Sequence, residues 1–155
     1  MTERYLRERV YRVKQKLGGL EVSLKWSLPE GKEGTPAFLS FRLAGTVDGR
    51  VKAAQVDLPV SCLPNWKSLG EKLQAGELPS GGPVLRHSGV SGNGKLWWLE
   101  LGFLGEGLLK PWEFRLFTAE GEGDLILSEP IRVRVSGRTL GNLIEAVVCR
   151  VERGR

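Results

Sequence analysis

The chain reads itself out twice. Phe41-Arg42-Leu43 returns as Phe114-Arg115-Leu116, 73 residues later. The alternating run Val56, Leu58, Val60 returns as Ile131, Val133, Val135, 75 residues later. Each run leads through a serine, Ser61 or Ser136, into a stretch with helical spacing. A repeat of this kind constrains the fold strongly, because two copies of one supersecondary unit can bury their apolar faces against each other. A chain of 155 residues has room for one ordinary domain built from two such units.

In the first half, Leu20, Val22, Leu24, Trp26 and Leu28 alternate with Glu21, Ser23, Lys25 and Ser27. That is the period of a strand with one buried face. A polar turn over 29–34 precedes a strand over 37–44, with Leu39, Phe41 and Leu43 inward and Phe38, Ser40 and Arg42 outward. Asp48-Gly49 signals a hairpin. The strand over 50–60 carries Val51 and Ala53, then Val56, Leu58 and Val60, and its slip of phase near Ala54-Gln55 predicts a β-bulge. Pro64 suits the first turn of a helix, Trp66, Leu69 and Leu73 give it an apolar stripe, and Gly76 ends it.

Glu77 to Pro83 is rich in Gly, Pro and Ser and reads as the connection between the halves. A short strand over 84–88 follows, then a turn at Gly92-Asn93-Gly94. Trp97, Leu99, Leu101 and Phe103 alternate inward, as do Trp112, Phe114 and Leu116 after a loop over 105–110. A turn at 120–123 leads to a strand over 124–135, an edge or bulged one because Pro130 cannot donate to a ladder. Leu140, Leu143, Ile144, Val147 and Val151 share one stripe of a helix over 139–151. The N-terminal stretch admits two readings. Leu6, Val10, Val13 and Leu17 fit a helix capped by Gly18-Gly19. The repeat instead calls for a strand starting near Glu8, with Gly18-Gly19 as its hairpin turn, and Val10, Tyr11 and Val13 suit one. The strand is favoured. The expected fold is α+β: a tandem ββββα repeat over 8–76 and 84–151, each half an antiparallel sheet followed by a helix.

Composition excludes several classes. At 41% hydrophobic and 26% charged residues the chain is globular. No apolar run approaches the ~20 residues that span a bilayer, and Thr2 to Arg9 is too charged for a secretory signal. Cys62 and Cys149 are too few for a disulfide framework, so a cytoplasmic location is expected. Sparse Gln, Asn and Met among many Arg and Glu lean towards a thermophile. The net charge of +5 and pI near 9.5 admit an acidic partner, and the placement of the charge decides.

Catalytic signals are poor. His87 is the only histidine, which leaves no multi-histidine metal site and no ready Ser-His-Asp triad. Cys62 precedes a helix, where a thiol pKa can be lowered, yet neither it nor Cys149 has a partner motif. Gly89 to Gly94 lacks the Gly-Lys-Ser/Thr ending of a phosphate loop and opens a strand, so it reads as a hairpin turn. No enzyme, cofactor or metal is read here.

The outward strand positions are more informative. They carry Lys25, Arg42, Lys52, Arg86, Arg115, Arg132 and Arg134, interleaved with Phe38, Trp98 and Phe117, against Glu21, Asp57, Glu100 and Glu113. Cations beside flat rings are what single-stranded nucleic acid needs, for its phosphates and its bases. Trp97-Trp98 sends one ring to each face of its strand, so Trp98 points away from the core. The competing reading is that these basic residues form an ordinary solvated sheet face and that the outer aromatics pack under a helix or against another subunit.

Two ββββα units, basic, with aromatics on the strands, resemble the Whirly and PUR-alpha group of single-stranded nucleic-acid binders. The resemblance is architectural and covers most of the chain. The Whirly signature Lys-Gly-Lys-Ala-Ala-Leu lies near a first hairpin, whereas Gly49-Arg50-Val51-Lys52-Ala53-Ala54 lies on a later strand; no binding residue carries over by match. The resemblance implies sheets packed by helices, binding on strand surfaces and frequent oligomers. The expected function is sequence-tolerant binding of single-stranded DNA or RNA by Lys25, Arg42, Lys52, Arg86, Trp98, Arg115, Phe117, Arg132 and Arg134, in a homo-oligomer. The alternative is a β-rich interaction or assembly subunit without nucleic acid.

Overall fold

Residues 5–27, 36–80, 82–91, 94–119 and 128–153 are described by the computed structural model. The turns expected at 29–34 and 120–123 lie outside them, as do Gly92-Asn93 and the first part of the strand expected over 124–135. The first half comprises β1 (Tyr5–Gln15), β2 (Gly18–Ser27), β3 (Phe38–Val47), β4 (Arg50–Pro59) and α1 (Leu63–Gln74). The second comprises β5 (Gly82–Val90), β6 (Leu96–Phe103), β7 (Trp112–Thr118), β8 (Ile131–Val135) and α2 (Gly137–Arg153). Each half is an antiparallel meander, in order β1-β2-β3-β4 and β5-β6-β7-β8. The architecture is therefore the expected α+β tandem ββββα.

The repeat is visible in the register. Phe41 pairs with Val56, and Phe114 pairs with Val133. Val56 thus corresponds to Val133, two residues further on than the sequence match with Ile131 places it. A shift of two leaves every side chain on its own face, so the alternation cannot reveal it. The serines differ as well. Ser136 caps α2 through its Oγ, which accepts the Thr139 N–H at 3.1 Å. At α1 the N-cap is Cys62, with no side-chain cap, and a 3₁₀ turn over Val60–Cys62 leads in.

The apolar strand faces meet in one core. Phe41 stacks on Trp66 at 5.2 Å between ring centroids, and Phe114 lies 6.1 Å from Trp66 and 6.2 Å from Phe41. These rings come from β3, α1 and β7, so both halves contribute. The α2 stripe of Leu140, Leu143, Ile144, Val147 and Val151 is buried throughout.

Several expectations are corrected. The β1–β2 turn is Lys16-Leu17, and Gly18-Gly19 belong to β2. Gly18 is required by close approach: a Cβ there would lie 2.1 Å from the Ala44 carbonyl oxygen. No bulge interrupts β4, whose register with β3 runs unbroken from Arg50 to Pro59. Val51 and Ala53 are simply exposed apolar residues on its outer face. The irregularities lie in β1 at Arg9/Tyr11 and in β5 at Pro83/Leu85. Ser40 has outward phase but is fully buried, like its cross-strand partner Ser23. The reason is size, since Arg9 and Asp57 continue that row on either side and outreach both hydroxyls. Neither hydroxyl has a hydrogen-bond partner among the described residues.

Candidate nucleic-acid interface

Residues opposite one another in a ladder point to the same face, so the register maps the outer surface of each sheet. On the first sheet, Arg7 faces Lys25, Arg9 faces Ser23, Arg12 faces Glu21 and Lys14 faces Gly19. Beyond β2, Lys25 faces Phe38 and Glu21 faces Arg42. The bulge in β1 makes this row. Strict alternation from Arg7 and Arg9 would bring Tyr11 and Val13 to the outer face. The extra residue at Val10 reverses the phase, so Tyr11 and Val13 pack against the core while Arg12 and Lys14 rejoin Arg7 and Arg9.

The outer face of the first sheet therefore carries Arg7, Arg9, Arg12, Lys14, Lys25 and Arg42 against Glu21 and Asp57. Lys25 Nζ lies 2.8 Å from Asp57, and Arg7 lies 3.3 Å from Glu21. The cations of β1 are absent from the set expected from sequence. The signal was present as Arg and Lys at 7, 9, 12 and 14, but their spacing of two, three and two fits neither a regular strand nor a helix. Lys52 moves the other way: it pairs with Gly45 and shares the phase of Val56 and Leu58, and it is exposed only because it lies at the strand end.

The outer face of the second sheet is organised differently. Across its middle, Arg86 faces Glu100, Glu100 faces Arg115, and Arg115 faces Arg132. Arg115 donates to Glu113 at 2.6 Å and to Glu100 at 2.8 Å. Burial works against the Arg115 charge, but its hydrogen bonds to Glu113 and Glu100 outweigh that and raise its pKa above the ordinary guanidinium value. Glu100 and Glu113, expected as exposed acids, are buried beneath these cations. Arg86 and Arg132 stand at 3.8 Å from the same carboxylates and are much more exposed. Gly102 leaves the space that the Arg115 guanidinium occupies, since a Cβ there would lie 2.7 Å from Nη2. Arg115 is consequently a half-buried ion-pair member, whereas Arg86, Arg132 and Arg134 present charge outward. Arg134 also donates to the Lys110 carbonyl at 3.0 Å.

Trp98 and Phe117 are direct cross-strand neighbours on this face, and both are half-buried. The Trp98 indole N–H donates to Glu100 at 3.3 Å, and the Arg86 guanidinium stands over its ring at 5.7 Å. The two rings form a platform already covered in part by a cation. Phe38 is half-buried on the other sheet, opposite Lys25. The expected residues thus divide: Lys25 and Arg42 lie on the first sheet, Arg86, Trp98, Arg115, Phe117, Arg132 and Arg134 on the second, and Lys52 on neither outer face.

No family model matches the chain, and no curated protein matches it in sequence.

Burial pushes the Cys62 thiol up to about 11, the opposite of the lowered value its place before a helix suggested. Among the described residues, no three His, Cys, Asp or Glu side chains are grouped to hold a metal ion. His87 accepts a hydrogen bond from the Trp66 indole N–H through Nε2 at 3.2 Å and stacks on that ring at 5.9 Å. Only an unprotonated Nε2 can accept this bond. Burial lowers the His87 pKa from its ordinary 6.5. The unfolded chain therefore takes up a proton before the folded one does, and the stability it contributes above that value is lost as pH falls. The urea midpoint is expected to drop between pH ~7.5 and ~5.5, and to drop less in His87→Gln. Equal drops in both proteins would show that His87 is not the group responsible.

Proposed function

We propose that this protein binds single-stranded nucleic acid with little sequence preference, through the outer faces of its two sheets. The observation that carries the reading is the bulge-phased row of Arg7, Arg9, Arg12 and Lys14 on one face with Arg42. A row of cations on a strand is a track for phosphates. The Trp98–Phe117 pair supplies rings on which bases stack, at roughly 1–3 kcal/mol per base. A duplex hides the faces of its bases and is expected to bind more weakly. No catalytic step is part of this reading. The architectural likeness to the Whirly and PUR-alpha group agrees with it as an analogy of fold.

Trp98 provides the test. The other tryptophans, Trp26, Trp66, Trp97 and Trp112, are buried, so Trp98 is the ring within reach of a base. Titration with oligo-dT or oligo-rU at ~50 mM salt is expected to quench fluorescence, and Trp98→Phe is expected to abolish most of the quenching. Trp98→Ala should weaken binding while leaving the salt slope nearly unchanged, since stacking releases few counterions. A folded sample that binds neither oligomer overturns the reading.

A second reading, a protein-assembly module, is favoured by the exposed Leu78, Leu104, Leu108 and Leu109. It predicts a self-association that added salt leaves in place, measurable as a light-scattering mass.

A further inference from the structure

Where the two sheets meet, the β1–β2 turn and the end of β3 face β8. The Gln15 amide donates to the Arg134 carbonyl at 2.7 Å, and a Cβ on Gly45 would lie 3.3 Å from the Arg132 carbonyl oxygen. A cleft of about 580 Å³ opens at this joint, and Lys14, Lys16, Lys110 and Arg132 line it. Among the described residues, no carboxylate and no aromatic ring lines it. A second hollow of about 270 Å³ adjoins it, shares Lys14, Lys16, Gly18 and Ala44 with it, and reaches Arg12, Arg42 and the carboxylate of Glu21, which Arg7 already engages. Through the residues they share, the two hollows make one predominantly basic channel, with Glu21 its one carboxylate among the described residues. One end opens on the outer face of the first sheet at Arg12 and Arg42. The other ends at Arg132, which lies on the outer face of the second sheet beside Arg115.

We propose that this channel is a phosphate-binding crossing, through which one nucleic-acid strand passes from the first sheet to the second. The proposal rests on the single-strand-binding reading above and adds the path. The lining carries the argument. Without rings the channel has nothing to stack bases on, and its lysines are point charges suited to phosphate oxygens. No salt bridge among the described residues engages Lys14, Lys16 or Lys110. This differs from Arg115 and Lys25, which carboxylates already neutralise. Focusing of the field in a concavity strengthens its pull on a polyanion. The crossing also accounts for the division between the sheets: the first has the denser cation row, the second has the Trp98–Phe117 platform, and one strand uses both only by crossing.

The test compares two labelled oligo-dT probes on wild type and on the Lys16→Ala/Lys110→Ala variant, which spares Lys14 because it belongs to the row on the first sheet. One probe has about six nucleotides, at the low end of the ~4–16 that a single OB fold covers, and the other about twenty. Two lost phosphate contacts are expected to lower affinity for the long probe about 20-fold at ~0.1 M salt and to reduce the salt slope by about 1.4. Binding of the short probe, which fits on one sheet, should change several-fold at most. Equal losses for both probes, or no loss for either, overturn the crossing while the interface on the sheets stands. Failure of wild type to bind either probe overturns the interface and the crossing together.

Discussion

Replacing Arg9, Arg12 and Arg42 together by Ala is expected to lower affinity for a single-stranded oligomer about 100-fold at ~0.1 M salt. Each phosphate contact on a single strand contributes about 0.7 to the logarithmic salt slope, so three lost contacts flatten it by about 2. These arginines are exposed and share the outer face of the first sheet. Their loss removes charge without opening the core, and the melting temperature should stay close to that of wild type. The control is a variant with the same loss of charge elsewhere. Lys72, Arg138 and Arg153 are exposed on the helices, and replacing them by Ala should weaken binding only through net charge. If both variants lose affinity alike, binding follows net charge and the β1 row is not the track. Filter or anisotropy titrations over a range of salt read both quantities at once.

Phe114→Ala is expected to have the largest effect on stability, a loss of ~3–5 kcal/mol. The ring is fully buried and lies against Phe41 and Trp66. Its removal leaves a cavity where β7 of the second half meets β3 and α1 of the first, and little is free to collapse into it. At ~2–4 °C per kcal/mol for a chain of this size, the melting temperature should fall by roughly 10 °C. Because the cavity touches both halves, hydrogen exchange should accelerate in β3 as well as in β7. An effect confined to the second half would mean that the halves are stabilised independently. A melting temperature within ~1 °C of wild type would mean that the ring contributes little to the core.

Much of the fold was legible. The alternation Leu20, Val22, Leu24, Trp26 and the run Trp97, Leu99, Leu101, Phe103 specify their strands, because a period of two admits only one buried face. The stripe from Leu140 to Val151 specifies its helix for the same reason at a period of 3.6. The outward phase of Arg86, Trp98, Phe117, Arg132 and Arg134 follows from these patterns, since each alternates with residues of the core.

What escaped were the departures from periodicity. The β1 bulge places Arg12 and Lys14 on the face of Arg7 and Arg9, and no local pattern marks where one extra residue is inserted. The apparent slip at Ala54-Gln55 is no bulge, because Val51 and Ala53 are small enough to lie exposed in a regular strand. The phase of Glu100 and Glu113 was correct but their burial was not: it depends on Arg115 folding back across neighbouring strands and over Gly102, contacts between residues distant in sequence. The basic channel is the extreme case. Lys14, Lys16, Lys110 and Arg132 come from two edge strands, one turn and one loop, and only the packing of β8 against the end of β3 at Gly45 brings them together. The sequence by itself determined the elements, their repeat and the faces of regular strands, because these depend on neighbours one to four residues away. The tertiary structure alone decided which charges are neutralised and which converge, because a Coulomb interaction depends on distance through space.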